Sequence, residues 1–155
     1  MRKEIDETLI KYQNKKIKFF FNDLWSFPSK DLKISTDLIT CENIIWSEAY
    51  GAYLAGYLPI VYGVSFFNIG RLEQLRKFFG YNKAPIIIIN AGAYGYDKYG
   101  WEHAFKDNDD IVLMKQLNFK IIDNFNMVSF NKILKKKLKN PNKKNIYIRL
   151  GKDRS

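Results

Sequence analysis

A carboxylate, a lone histidine and a pair of aromatic rings are the residues of this chain whose types and spacing could do chemistry. Glu42 stands near the head of CENIIWSEAYGAYLAGYLPIVYGVSFF (41–67), where a loop gives way to helical apolar spacing, then glycine, proline and a strand running into Ser65, Phe66 and Phe67. Asp23 lies near the end of an earlier apolar run, IKFFFNDL, and His103, the sole histidine, lies in the Gly/Tyr-rich stretch 91–107. A carboxylate at a helix head can act as an acid or base where its surroundings raise its pKa. The residues alone equally support a plainer reading. Glu42 is then a first-turn acid favoured by the helix dipole, the phenylalanines are core, and His103 is solvated.

Familiar catalytic motifs are missing from the sequence. GAYGYDKYG has neither the GKS/GKT ending of a phosphate-binding loop nor GxGxxG spacing. HExxH and CxxC do not occur, and one histidine cannot build a multi-histidine metal centre, so no metal ligands are expected from this chain. Gly63-Val64-Ser65-Phe66-Phe67 is not a GxSxG elbow. A single cysteine, Cys41, excludes an internal disulfide and suits a reducing compartment. MRKEIDETLIKYQNKK is too charged for a signal peptide, and no apolar run approaches the roughly 18 residues of a membrane helix. The expectation is a soluble, cytoplasmic protein.

The elements that must position these residues follow from periodicity. Helical spacing is read over 2–15, 43–56 (closing at Gly56), 69–79 (closing at Gly80), 109–117 and 127–139. Short apolar runs predict strands at 17–24, 58–66, 85–90, 119–123 and 145–150, with a further short strand within ISTDLIT. Four consecutive isoleucines in PIIIIN (85–90) imply burial on both faces, as inside a parallel sheet. Alternating strands and helices predict one α/β domain over 1–155, with a mainly parallel sheet flanked by helices. Ligands of such sheets bind beyond the strands' carboxyl ends, which points to Asp23, Ser65–Phe67 and the 91–107 loop.

Charge is distributed unevenly. Of the net +10, +9 falls in residues 131–155, which hold ten Lys/Arg and one acid. Such a segment reads as a solvated lysine-rich face, as a surface for an acidic partner subunit or an anionic membrane, or as a nucleic-acid-binding module.

Taken in order, several blocks resemble the pyrimidine-binding domain of the transketolase family, enzymes that use thiamine diphosphate. The family's segment A-E-Q-N-x-x-G-x-A-x-G-L-A-x-x-G-x-x-P is approximated by Glu42-Asn43, Gly51, Gly56 and Pro59 without a gap. Its strand ending Y-T-F-S-T-F and helix D-Q-I-R are similar to Tyr62–Phe67 and Glu73-Gln74-Leu75-Arg76. Its loop G-x-x-x-G-x-D-G-x-T-H is approximated by Gly92, Gly95, Asp97, Gly100 and His103. E-D-I-A-L-M-R resembles 109–115, and V-Y-I-R-L-G resembles Ile146–Gly151.

The resemblance implies a pyrimidine-domain fold and assigns roles. Glu42 would hydrogen-bond the N1′ nitrogen of the cofactor's aminopyrimidine, and Phe67 would pack on that ring with Phe66 and Ser65 beside it. Asp23 would lie near the cofactor, and His103 would face a sugar substrate and assist proton transfers. Nothing in the sequence resembles the half that holds Mg²⁺ and the diphosphate. The resemblance therefore implies a split enzyme in which a separate diphosphate-binding subunit supplies those ligands, in an α2β2 assembly. The expected reaction is transfer of a two-carbon ketol unit between sugars, with neither membrane nor nucleic acid as partner. A subunit of a split 2-oxo-acid decarboxylase and a non-catalytic regulatory pyrimidine domain are the further alternatives. One departure bears on substrate: Asp123-Asn124-Phe125-Asn126 replaces the family's P-A-D and the arginine that often precedes it to grip substrate phosphate, which admits a non-phosphorylated or nucleotide-linked sugar.

Overall fold

Among the described residues the chain forms six strands, and helices in four of the five connections between them return it to the same end of the sheet. A computed structural model describes residues 2–13, 15–22, 36–38, 42–64, 70–91, 109–123 and 127–150. The strands are β1 (Ile17–Asn22), β2 (Thr36–Leu38), β3 (Leu58–Val64), β4 (Ile87–Ala91), β5 (Lys120–Ile122) and β6 (Ile146–Arg149). They form one sheet in the order β2-β1-β3-β4-β6-β5, and every neighbouring pair is parallel. The helices are α1 (Arg2–Ile10), α2 (Glu42–Leu54), α3 (Leu72–Leu75), α4 (Asp109–Gln116) and α5 (Met127–Lys139); α3 runs directly into a π-helical turn, Arg76–Tyr81. The expected α/β class with a flanked parallel sheet is what is found.

The isoleucine run shows why the sheet is covered twice. Alternate side chains point to opposite faces. Ile87 and Ile89 join Ile5 and Leu9 of α1 and Phe130 and Leu134 of α5. Ile86 and Ile88 join Ile45, Trp46 and Ala49 of α2, Leu75, Phe79 of the π turn and Met114 of α4. All four isoleucines are fully buried.

Several boundaries differ from the sequence expectation. The first helix stops at Ile10, and reverse turns (Tyr12 N–H to Leu9 O, 2.9 Å) fold Tyr12 into the core instead of a further helical turn. The third helix starts at Leu72 and passes through Gly80 without ending there. The turn finishes at Tyr81, and the chain reverses at Lys83, whose φ is 54°. The widened turn lets two consecutive rings reach α2: Phe78 stacks on Tyr50 at 4.7 Å, and Phe79 meets the edge of Trp46 at 6.1 Å. Gly56 closes α2 at φ 83°, as its position predicted.

The basic segment is not uniformly solvated, which corrects that reading at two positions, Lys137 and Arg149. Lys132, Lys135, Lys136 and Lys139 of α5 are exposed, but Lys137 is buried. Its Nζ donates to the carbonyl oxygens of Lys143 and Lys144 and to Asn145 Oδ1. Asn145 in turn accepts from the Ile86 N–H at 2.9 Å and donates to the carbonyls of Phe79 (3.0 Å) and Ala84 (2.9 Å). Two side chains thus satisfy the backbone where β4 and β6 begin. Among the described residues no helix is long and apolar enough to cross a membrane.

Candidate functional site

Parallel pairing brings the carboxyl ends of the strands to one edge, where a crevice of this fold class forms. Leu38, Asn22, Gly63, Asn90 and Arg149 pair in register across β2, β1, β3, β4 and β6. Helix α2 leaves the carboxyl end of β2, crosses over β1 and enters the amino end of β3, so its first residue, Glu42, lies toward this edge and Leu54 toward the opposite one. Ile45 and Trp46, about one turn on, are fully buried against Phe20 and Val61 of the sheet, which seats the head of the helix firmly. The structure describes Glu42 by its helical position; its side chain lies outside the described residues.

The other residues singled out in sequence also lie outside them: Asp23, Ser65, Phe66, Phe67 and His103. The strands fix only where their segments depart. Asp23 follows the last residue of β1, Ser65 follows the last residue of β3, and His103 belongs to the connection between β4 and α4. All three connections leave the sheet at the edge where α2 begins.

A buried polar network lies at this edge, among residues to which the sequence assigned no role. Arg149, which ends β6, donates from Nε to Asp110 Oδ2 at 2.8 Å and from Nη1 to Asp123 Oδ2 at 3.2 Å. Tyr147 Oη donates to the same Asp110 oxygen at 2.9 Å. Tyr147, Arg149 and Asp110 are buried, while Asp123 is partly exposed. Burial, and then the adjacent Asp110 charge, push the Tyr147 phenol well above its usual range, so it remains a donor. Alternation put Tyr147 and Arg149 on one face of β6, and Asp110 occupies the first turn of α4. The only sequence signal was that these residues fell inside two blocks of the family resemblance. Chemically the network clamps α4 to β6 and occupies Arg149 with two carboxylates.

One cavity of about 250 Å³, between Tyr53, Tyr57, Leu58 and Pro141, opens where β3 begins, at the opposite end of the sheet from Glu42. No group of three or more His, Cys, Asp or Glu among the described residues could hold a metal ion.

No family model matches this sequence, and no curated protein does. Solved structures do match. One, described as a split gene transketolase in an inactive beta4 tetramer, superposes with a TM-score of 0.70 at 24% identity, covering 97% of this chain and 50% of that one. The two share a fold. The match spans nearly all of this chain and half the length of the other, so what is held in common is the α/β architecture that the ordered sequence blocks implied.

Proposed function

We propose that this chain is the pyrimidine-side subunit of a split transketolase-like enzyme, transferring a two-carbon ketol unit between sugars with thiamine diphosphate. The observation that carries the reading is the placement of Glu42 as the first residue of α2, at the edge where β1, β3 and β4 end in register. That placement, within a fold shared with a split gene transketolase, matches the carboxylate that the sequence resemblance assigns to the aminopyrimidine.

The residues assigned by resemblance would serve one end of the cofactor and not the other. When bound, thiamine diphosphate supplies the carbanion chemistry, and the protein supplies position and proton control. Glu42 would hold a proton at N1′ of the aminopyrimidine, and the segment after β3, with Ser65, Phe66 and Phe67, would cover the ring. Asp23 would border the same pocket, and His103 would exchange protons with the sugar hydroxyls. Anion binding is another matter. Arg149, the cation ending β6, is already bound by two carboxylates, which suits a diphosphate and Mg²⁺ held by a separate subunit in an α2β2 assembly.

The test is to mix the chain with a diphosphate-binding transketolase subunit, then measure assembly mass, thiamine diphosphate binding and ketol transfer for the native chain and Glu42→Gln. Loss of a positioned acid–base group should lower turnover by about 10²–10⁴-fold, with the assembly mass unchanged. Assembly with turnover indifferent to Glu42 would favour the regulatory-domain reading. Absence of both complex and cofactor binding would reduce the resemblance to one of fold. Turnover on a 2-oxo acid in place of a ketose would favour the decarboxylase.

A further inference from the structure

Five lysines drawn from three separate parts of the chain line one cavity. Lys120 comes from the edge strand β5, Lys136 and Lys137 from α5, and Lys143 and Lys144 from the turn before β6. The cavity measures about 170 Å³, and no acidic residue lines it. Its remaining walls are the isoleucines Ile122, Ile133 and Ile146. Lys132, Lys135 and Lys139 are exposed on the same helix but do not line it. The lysines therefore meet here by folding, not merely by abundance along α5.

Charges of one sign around a concavity focus the local field and concentrate counter-ions there. Edge protection accounts for one of the five, because a lysine on a short edge strand discourages pairing with another chain. It does not account for Lys136, Lys143 or Lys144. The site is also braced. The Lys137 ammonium bonds to the carbonyl oxygens of Lys143 and Lys144, fixing the turn that carries two of the cations. Lys137 is thus a positioning residue, and Lys120, Lys136, Lys143 and Lys144 remain to meet a ligand. A compact concavity with an aliphatic floor fits a small molecule better than a polymer backbone, which would track an open ridge of charge.

We propose that this cavity binds a phosphate-bearing small molecule, its phosphates against the lysines and its apolar portion over the isoleucines. The site lies between β5 and α5, removed from Glu42, and the proposal stands independently of the ketol-transfer reading.

Calorimetric titration of the chain with inorganic pyrophosphate and, separately, with magnesium-free ATP tests it. The expected result is saturable one-to-one binding, tighter for ATP because of its apolar base. Binding should weaken by about tenfold or more in Lys120→Gln/Lys144→Gln, since charge-assisted contacts carry that much. Lys77→Gln/Lys115→Gln removes the same net charge from exposed positions on the α3 and α4 side of the sheet and should leave affinity within about twofold. Circular dichroism melts of both variants check that each is folded. Equal weakening in both variants would overturn the proposal in favour of diffuse attraction, and absence of binding would overturn it outright. A single-stranded oligonucleotide that binds more tightly than ATP through the same lysines would replace it with a nucleic-acid surface.

Discussion

At the scale of single residues, the Asp110–Arg149–Tyr147 network has the largest stake. Removing Asp110 takes away one of the two carboxylates that neutralise the buried Arg149 and leaves Asp123 in place, at a cost of about 1.5–3 kcal/mol. Asp110→Ala should therefore lower stability to urea by that order, whereas Tyr147→Phe, which removes one hydroxyl donor, should cost about 1–2 kcal/mol. Lys137 makes a different prediction. Burial lowers its pKa from 10.5 to about 8, so between those values the unfolded chain binds more protons than the folded one. Stability from this group rises as pH increases from about 8 to 10.5 and is lost as pH falls through about 8. Urea melts of the native chain and Lys137→Met across that range should show the difference between them moving in favour of the native chain as pH rises. A flat difference would mean that the Lys143 and Lys144 carbonyls fully offset the desolvation.

At the scale of elements, two glycines of one helix segment should respond oppositely to alanine. Gly51 lies in the middle of α2 with open space where a Cβ would go, so Gly51→Ala should stabilise the isolated chain by about 0.5–1 kcal/mol. Gly56 has equal room but a φ of 83°, so Gly56→Ala should destabilise it by about 1 kcal/mol or more. Thermal melts of the two variants decide both. The same helix shows what the sequence made legible. Its start at Glu42, its closure at Gly56 and the burial of PIIIIN on both faces are local consequences of spacing and backbone preference. The π turn at 76–81 was not legible, because its cause is the fit of Phe78 and Phe79 against Tyr50 and Trp46, which are distant in sequence. Asn145 was missed for the same reason: its backbone partners lie 59 to 66 residues away. The lysine-rich helix read as a single solvated face because periodicity cannot show that three backbone and side-chain oxygens wait for Lys137. For the site, spacing located Glu42 at a helix head, and topology located the edge; the roles of Ser65, Phe66, Phe67, Asp23 and His103 rest on resemblance and await the turnover measurements.

At the scale of the whole molecule, the sheet order sets which parts open last. β3 and β4 are the central strands, paired on both sides and covered on both faces, whereas β5 is a three-residue edge. Native-state hydrogen exchange should find β3 and β4 amides exchanging only through global unfolding and β5 amides exchanging through smaller openings. Uniform protection across the sheet would contradict that ranking. Chain order and spatial order also part company at β6, which follows β5 in sequence yet lies between β4 and β5 in the sheet. On a ribosome, β1 to β4 can assemble as they emerge, but β5 has no neighbour to pair with until the residues from Ile146 onward have left the exit tunnel. The nascent chain must therefore carry an unpartnered strand and the exposed flank of β4 for the time taken to translate α5 and the turn after it. Vectorial synthesis makes that interval, rather than any later step, the time at which a chaperone would be of most use to this protein.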